Sequence, residues 1–341
     1  MSKKSKIILF TVGIGIFTYL VLDFGIDNIL TNFYKTGWYF VPVIGVWAIV
    51  YLFNSFAWQL IIGKGEHNVP FSKIISITLS GFALNYITPS IAVGGEPYRI
   101  AELKNIIGTS RAVSVTLLYS MIHILSSFVF WILIILLAFF LLTLSAATKI
   151  SFIIALILFS AMVYFFITRH KKGIAKSLLN LILKIPVLKK LATPLLTKTD
   201  SIQKIDDQIT ELYLNRRNDF YLALSWETIA RIVGSLENLF ILKAIGVDIS
   251  FFEALYISAV STFVINIFFF MPLELGSREG GLALVLKTIN INPVLGIYIG
   301  LVNRIRELFW ILIGLLLIAL SGKKIRKEVI NKIGYEKNNF V

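Results

Sequence analysis

The chain has 341 residues, of which 57% are hydrophobic and 15% charged, and its mean hydropathy is +0.82. These values exclude a water-soluble globular domain and specify a polytopic membrane protein. The formal net charge of +14 is gathered in short clusters beside apolar runs, where basic residues set topology and meet anionic lipid, so nucleic acid is not an expected partner. Cysteine is absent and there are 3 histidines (His67, His123, His170), scattered along the chain. Disulfides, thiolate chemistry and a histidine-rich metal centre are thereby excluded, and no cofactor is expected.

The chain opens with Lys3-Lys4-Ser5-Lys6 before an apolar run that Asp23 closes. No small-residue cleavage site follows, so this is an uncleaved first helix and not a signal peptide. A membrane-crossing helix needs about 20 apolar residues. By that measure full spans fall at 7–26, 39–62, 112–144, 150–168, 220–245 and 294–321. Two regions do not fit. In 74–105 the apolar run breaks at Pro89 and Gly94-Gly95, with Glu96 and Arg99 beside the break. In 251–292 it breaks at Pro272, Gly276 and Gly280, with Glu274, Arg278 and Glu279. Between the halves, 169–218 is a basic connector. Ile174, Leu178, Leu181, Ile182 and Ile185 form one apolar face, and Ile202, Ile205, Ile209 and Leu212 form a second, as in surface helices serving as a linker.

Positive charge orients the chain. Lys3, Lys4 and Lys6, the connector, and Lys323-Lys324-Ile325-Arg326-Lys327 all belong in the cytoplasm. Counting spans from these fixed points, the first broken region must enter and leave from the cytoplasmic side, and the second from the outside. The expected fold is therefore all-α, with about six full transmembrane helices and two oppositely oriented re-entrant hairpins in an inverted repeat. Its halves are 27–168 and 219–321, within a single membrane domain. Irregular backbone at membrane depth is tolerated only against protein or a watery cavity, which makes both breaks candidate site backbone.

Ionisable residues inside spans are costly and point to function. Glu227 and Arg231 stand one turn apart in 220–245, and Asn238 returns to their face. The run 294–321 carries Arg304, Arg306 and Glu307, with Gly300 and Gly314 flanking Glu307 at heptad spacing, as if to admit a neighbouring helix. Ser258, Thr262 and Asn266 share a face of 251–270, and Thr116, Ser120, His123 and Ser127 share one in 112–144. Glu227–Arg231 and Arg304–Glu307 are the obvious ion pairs, while His123, standing alone, reads as a hydrogen-bonded packing residue ahead of a proton relay. Arginine forks suit a phosphate, and carboxylates suit an ammonium group or a proton. No phosphate loop, nucleophile elbow or metal-spaced cluster is present.

The two breaks carry a resemblance. Pro89…Gly94-Gly95-Glu96-Pro97-Tyr98-Arg99 and Pro272-Leu-Glu-Leu-Gly276-Ser-Arg-Glu279-Gly280 resemble the paired motifs of the lysylphosphatidylglycerol synthase transmembrane-region family. In that family the first reads approximately Pro…Gly-Gly-Asp/Glu-x-x-Arg and the second Pro-Gly-Gly-Leu-Gly-x-x-Glu. Gly95, Glu96 and Arg99 fit the first. Pro272, Gly276 and Glu279 fit the second, whose usual glycines are replaced by Leu273 and Glu274. The resemblance implies a flippase-like membrane module, joined in the best-known members to a soluble aminoacyl-transferase domain. About twenty residues follow the last span here, so a stand-alone member without that domain is expected.

Together these readings describe a multi-pass protein of a prokaryotic cytoplasmic membrane, both termini cytoplasmic, that moves a phospholipid or related polar lipid between leaflets. Arg99, Arg231, Arg278 and Arg304 would hold phosphate; Glu96, Glu274, Glu279 and Glu307, with Glu227 nearby, would hold an amine or carry protons. Membrane phospholipids and a separate lipid-synthesising enzyme are the partners this reading admits, and a homo-oligomer is left open. An ion-coupled transporter of a small soluble solute and an intramembrane lipid-modifying enzyme are the alternatives.

Overall fold

Long apolar runs leave the backbone one local way to pair its N–H and C=O groups away from water, the α-helix. The computed structural model describes residues 25–63, 68–87, 94–143, 145–169, 214–268 and 276–338, with scattered positions besides, Glu274 among them. The regular elements among them are helical: α1 (Ile26–Thr36), a 3-10 turn (Gly37–Tyr39), α2 (Phe40–Ile62), α3 (Phe71–Ile87), α4 (Gly95–Ile107), α5 (Thr109–Leu141), α6 (Ala146–Arg169), α7 (Arg217–Gly234), α8 (Leu236–Ala244), α9 (Phe251–Ile267), α10 (Ser277–Thr288) and α11 (Leu295–Asn338). Pro42 and Pro97 fall in the first turns of α2 and α4, where a missing N–H breaks no helical bond. The chain is thus an all-α polytopic membrane protein. The expected first span and the 169–218 connector lie almost wholly outside the described residues, as do Pro89 and Pro272.

Among the described residues, Leu30–Ile62, Thr109–Leu141 and Ala146–Thr168 are long and apolar enough to cross a membrane. The single helix expected at 220–245 is instead two, α7 and α8, divided at Ser235. Gly234-Ser235 is a weak point for a helix, and the Ser235 hydroxyl donates to the Arg231 carbonyl at 3.0 Å, bonding back into the preceding turn. Helix α1, which the hydropathy reading left out, is amphipathic: Ile26, Leu30 and Phe33 lie along it among Asp27, Asn32 and Lys35.

Each broken region is a pair of packed helices. α3 pairs with α4, and α9 with α10. At a rise of 1.5 Å per residue, α4 and α10 span only about 20 and 18 Å, against an apolar core of about 30 Å. The packing pattern repeats when the halves are exchanged. α2 lies on α7, α3 on α11 as α9 lies on α5, and α4 on α5 as α10 lies on α11. Close approach depends on small residues, since lipid offers no hydrophobic drive between helices. A side chain at Gly314 would meet Ala83 at 2.4 Å and the Leu79 carbonyl at 2.9 Å, so α11 seats directly on α3, as the heptad glycines foretold.

Two large apolar clusters result, with a small third one of Val46, Val50 and Ala230 between α2 and α7. One gathers Trp58, Ile74, Leu103, Tyr119 and Leu315 around the α3–α4 pair. The other gathers Phe40, Ile134, Ile257, Val285 and Ile299 around the α9–α10 pair. Helices α2, α5 and α11 contribute one end to each. At the end of α2, Arg216 donates to the Leu60 carbonyl and Arg111 to the Ile62 carbonyl, so cations meet the negative end of that helix. Lys73 and the buried Glu102 join the arms of the first pair at 2.6 Å.

Candidate functional site

Between the two clusters, at mid-length of α2 and α5 and in the first third of α11, lies a cavity of about 330 Å³. It draws on both halves. Asn54 comes from α2, Tyr86 from α3, His123 from α5, Glu227 and Arg231 from α7, and Glu237 from α8. Arg278 comes from the first turn of α10, Arg306 and Glu307 from α11, and Glu274 from the second break itself. The polar stripe of α9, Ser258, Thr262 and Asn266, faces it as the helical spacing implied.

The charges are paired across helices. Glu227 is fully buried; it accepts from Asn54 Nδ2 at 2.8 Å and meets His123 Nδ1 at 2.7 Å. Arg231 does not close on Glu227. Its Nε donates to Ser126 Oγ at 2.8 Å and its Nη2 to the His123 carbonyl at 2.7 Å. Arg278 grips Glu274 through Nε and Nη2 and meets Glu307 through Nη1 at 2.7 Å. Arg306 forks onto Glu237 at 2.9 and 3.1 Å and lies over the Trp47 ring at 3.9 Å. Trp47 Nε1 donates to the same Glu237 at 2.6 Å. Arg304 reaches Glu279 at 2.6 Å, so it is engaged on α10. The pairs expected along single helices, Glu227–Arg231 and Arg304–Glu307, are therefore replaced by contacts between helices, because long side chains one turn apart turn toward whatever the neighbouring helix presents.

The two N-termini at the breaks are satisfied by different side chains. Gly95 N–H donates to Asn85 Oδ1 at 2.7 Å, and Asn85 Nδ2 lies 3.4 Å from Glu96 Oε1. Gly95 also lets α4 touch α3, since a side chain there would meet the Gly81 carbonyl at 2.3 Å. In the second break Gly276 takes φ +77°, a left-handed turn that glycine adopts without cost, and its N–H donates to Glu279 Oε2 at 3.0 Å. Glu279 thus caps its own helix while holding Arg304. Gly94 begins the turn into α4, and Gly280 has open space where a side chain would go. Glu274 carries φ +56°, a conformation that disfavours any side chain.

Of the residues singled out in the sequence, Glu227, Arg231, Glu274, Arg278 and Glu307 line the cavity, while Glu96, Arg99, Glu279 and Arg304 stand outside the lining. Arg99 is buried, with its guanidinium 5.0–5.3 Å from the Phe82, Tyr119 and Trp58 ring centres. Its contact with Glu96 is 3.7 Å. The sequence reading did not single out Glu237 and Asn54, both of which line the cavity. Glu237 meets the same criterion as Glu227, an ionisable residue within an apolar run. Asn54 is a lone amide in the apolar α2. His123 faces the cavity and hydrogen-bonds Glu227, which is compatible with either of its two readings, a hydrogen-bonded packing residue or a proton relay. Among the described residues no cluster of histidine, aspartate and glutamate is arranged to hold a metal ion.

The sequence profile described as "Lysylphosphatidylglycerol synthase TM region" matches residues 6–314 of the chain. No curated protein and no solved structure is significantly similar to it.

Proposed function

The chain belongs to the lysylphosphatidylglycerol synthase TM-region family, and from that premise we propose that it carries a phospholipid or related polar lipid between the leaflets of a prokaryotic cytoplasmic membrane. The observation that carries this reading is the charged cavity enclosed between two broken helix pairs. Its volume of about 330 Å³ suits a polar head group and not a whole lipid, so the acyl chains stay in the bilayer. Four carboxylates (Glu227, Glu237, Glu274, Glu307) face three guanidinium groups (Arg231, Arg278, Arg306), and each guanidinium already has oxygen partners. The lining therefore favours a cationic part of the head group. In this reading the α3–α4 and α9–α10 pairs are re-entrant hairpins entering from opposite sides, and the repeated packing pattern is that of an inverted repeat rocking about the cavity.

The test is leaflet protection of fluorescent lipids in proteoliposomes, with neutral, anionic and aminoacylated head groups compared. Protein-dependent loss of protection, removed by Glu227→Gln or Arg278→Met, is the expected result. Unchanged protection with every head group, in folded protein, would turn the reading toward a soluble-solute transporter. A new lipid species on thin-layer chromatography would turn it toward an intramembrane enzyme.

A further inference from the structure

Four arginines of the intramembrane cluster spend the same edge of the guanidinium on an oxygen of the protein. Arg231 gives Nε and Nη2 to Ser126 and the His123 carbonyl, Arg278 to Glu274, Arg304 to Glu279 and Arg306 to Glu237. Arg99 does not. It is 2% exposed, and its Nε and Nη2 have no hydrogen-bond partner. Its one ion-pair contact, to Glu96 at 3.7 Å, is made by Nη1.

No oxygen of the protein hydrogen-bonds that edge, and Gly81 packs closely beside it, since a side chain at position 81 would meet Arg99 Nε at 2.6 Å. The rings of Trp58 and Tyr119 flank the guanidinium, and Trp58 Nε1 is itself buried without a partner. Aromatic faces stabilise the cation but do not satisfy N–H groups in its plane. Leaving such donors unmade costs more than a typical hydrogen bond gains, so each needs an account. Phe82 stacks over Arg99 on one side and lines the central cavity on the other. Phe82 thus stands between the two places.

We propose that Arg99 forms a second, occluded station that takes the phosphate of the transported head group on its Nε/Nη2 edge, with Trp58 as a further donor. A planar fork matches two phosphate oxygens at once, which a lysine cannot do. The ligand's identity as a lipid phosphate rests on the lipid-transport reading; the oxyanion site does not. The cavity and this station divide the head group's chemistry between them. The cavity offers carboxylates to a cationic part, and Arg99 offers donors to the phosphate once Phe82 turns aside.

The test uses the full chain in detergent, with binding measured by calorimetry for three probes: dioctanoyl phosphatidylglycerol, dioctanoylglycerol and inorganic phosphate. The phosphate-bearing lipid should bind more tightly than dioctanoylglycerol. Arg99→Lys, which keeps the charge and loses the fork, and Gly81→Ala, which fills the edge, should each weaken it by about tenfold or more. Competition by inorganic phosphate assigns the site to phosphate from any source, and lack of competition assigns it to lipid-borne phosphate. Affinity within about twofold of the unmodified chain in folded Arg99→Lys overturns the proposal, as does equal binding of dioctanoylglycerol. If Arg99→Lys does not fold, unchanged affinity in Gly81→Ala overturns it alone. Binding through Arg99 without leaflet exchange would sink the transport reading and leave this site standing.

Discussion

Arg278, in the first turn of α10, and Glu307, in the first third of α11, meet at 2.7 Å and tie the second break to the helix that runs through both apolar clusters. From this contact a chain of charge extends through Arg306 to Glu237 and Trp47, linking α10, α11, α8 and α2. Removing one partner of a buried pair strands the other's charge, at a cost of roughly 3–5 kcal/mol. Arg278→Met should therefore lower the thermal unfolding midpoint in detergent sharply. The double change Arg278→Met with Glu307→Met should recover much of the loss. Equal midpoints for the single variant and the unmodified chain would show that the contact does not form.

Glu274 holds φ +56° while its carboxylate grips Arg278. Two substitutions separate backbone from side chain, since both remove the carboxylate. Glycine tolerates the left-handed backbone, whereas alanine pays about 1 kcal/mol there. Glu274→Gly should thus be more stable than Glu274→Ala by about that amount in equilibrium unfolding. The reverse order would mean the turn is not left-handed.

The seat of α11 on α3 leaves no room for a side chain at Gly314, whose Cβ would lie 2.4 Å from Ala83. Gly314→Ala should destabilise by about 1–3 kcal/mol through overpacking. Gly280→Ala, with nothing within 4 Å, should unfold at or above the original temperature, because alanine is the better helix former. Melting curves of the two variants should tell these glycines apart.

Glu227 joins α7 to α2 and α5 through Asn54 and His123. Glu227→Gln keeps the shape and a hydrogen-bonding carbonyl but deletes the charge. Lipid exchange between leaflets should fall by at least about tenfold, as expected when a charged hydrogen bond worth roughly 1.5–3 kcal/mol is lost. His123→Gln should follow it in direction. Exchange at the original rate in Glu227→Gln would remove this carboxylate from the site.

Composition and hydropathy determined that the chain is helical and lives in a membrane, because a backbone in hydrocarbon has no other local way to pair its polar groups. The breaks were legible too, as proline and clustered glycine inside apolar runs, and so were the polar stripe of α9 and the role of Gly314. Which charges meet was not legible. Helical spacing places Glu227 beside Arg231 and Arg304 beside Glu307, yet a guanidinium on a long stem reaches the next helix as easily as the next turn. Only the packing of α10, α8 and α5 against their neighbours decided the partners. The same holds for Arg99. Its motif marked it as one of a set, but the tertiary structure buried it against Phe82 and left its Nε and Nη2 unpaired, since the partners of a side chain are set by residues distant in sequence.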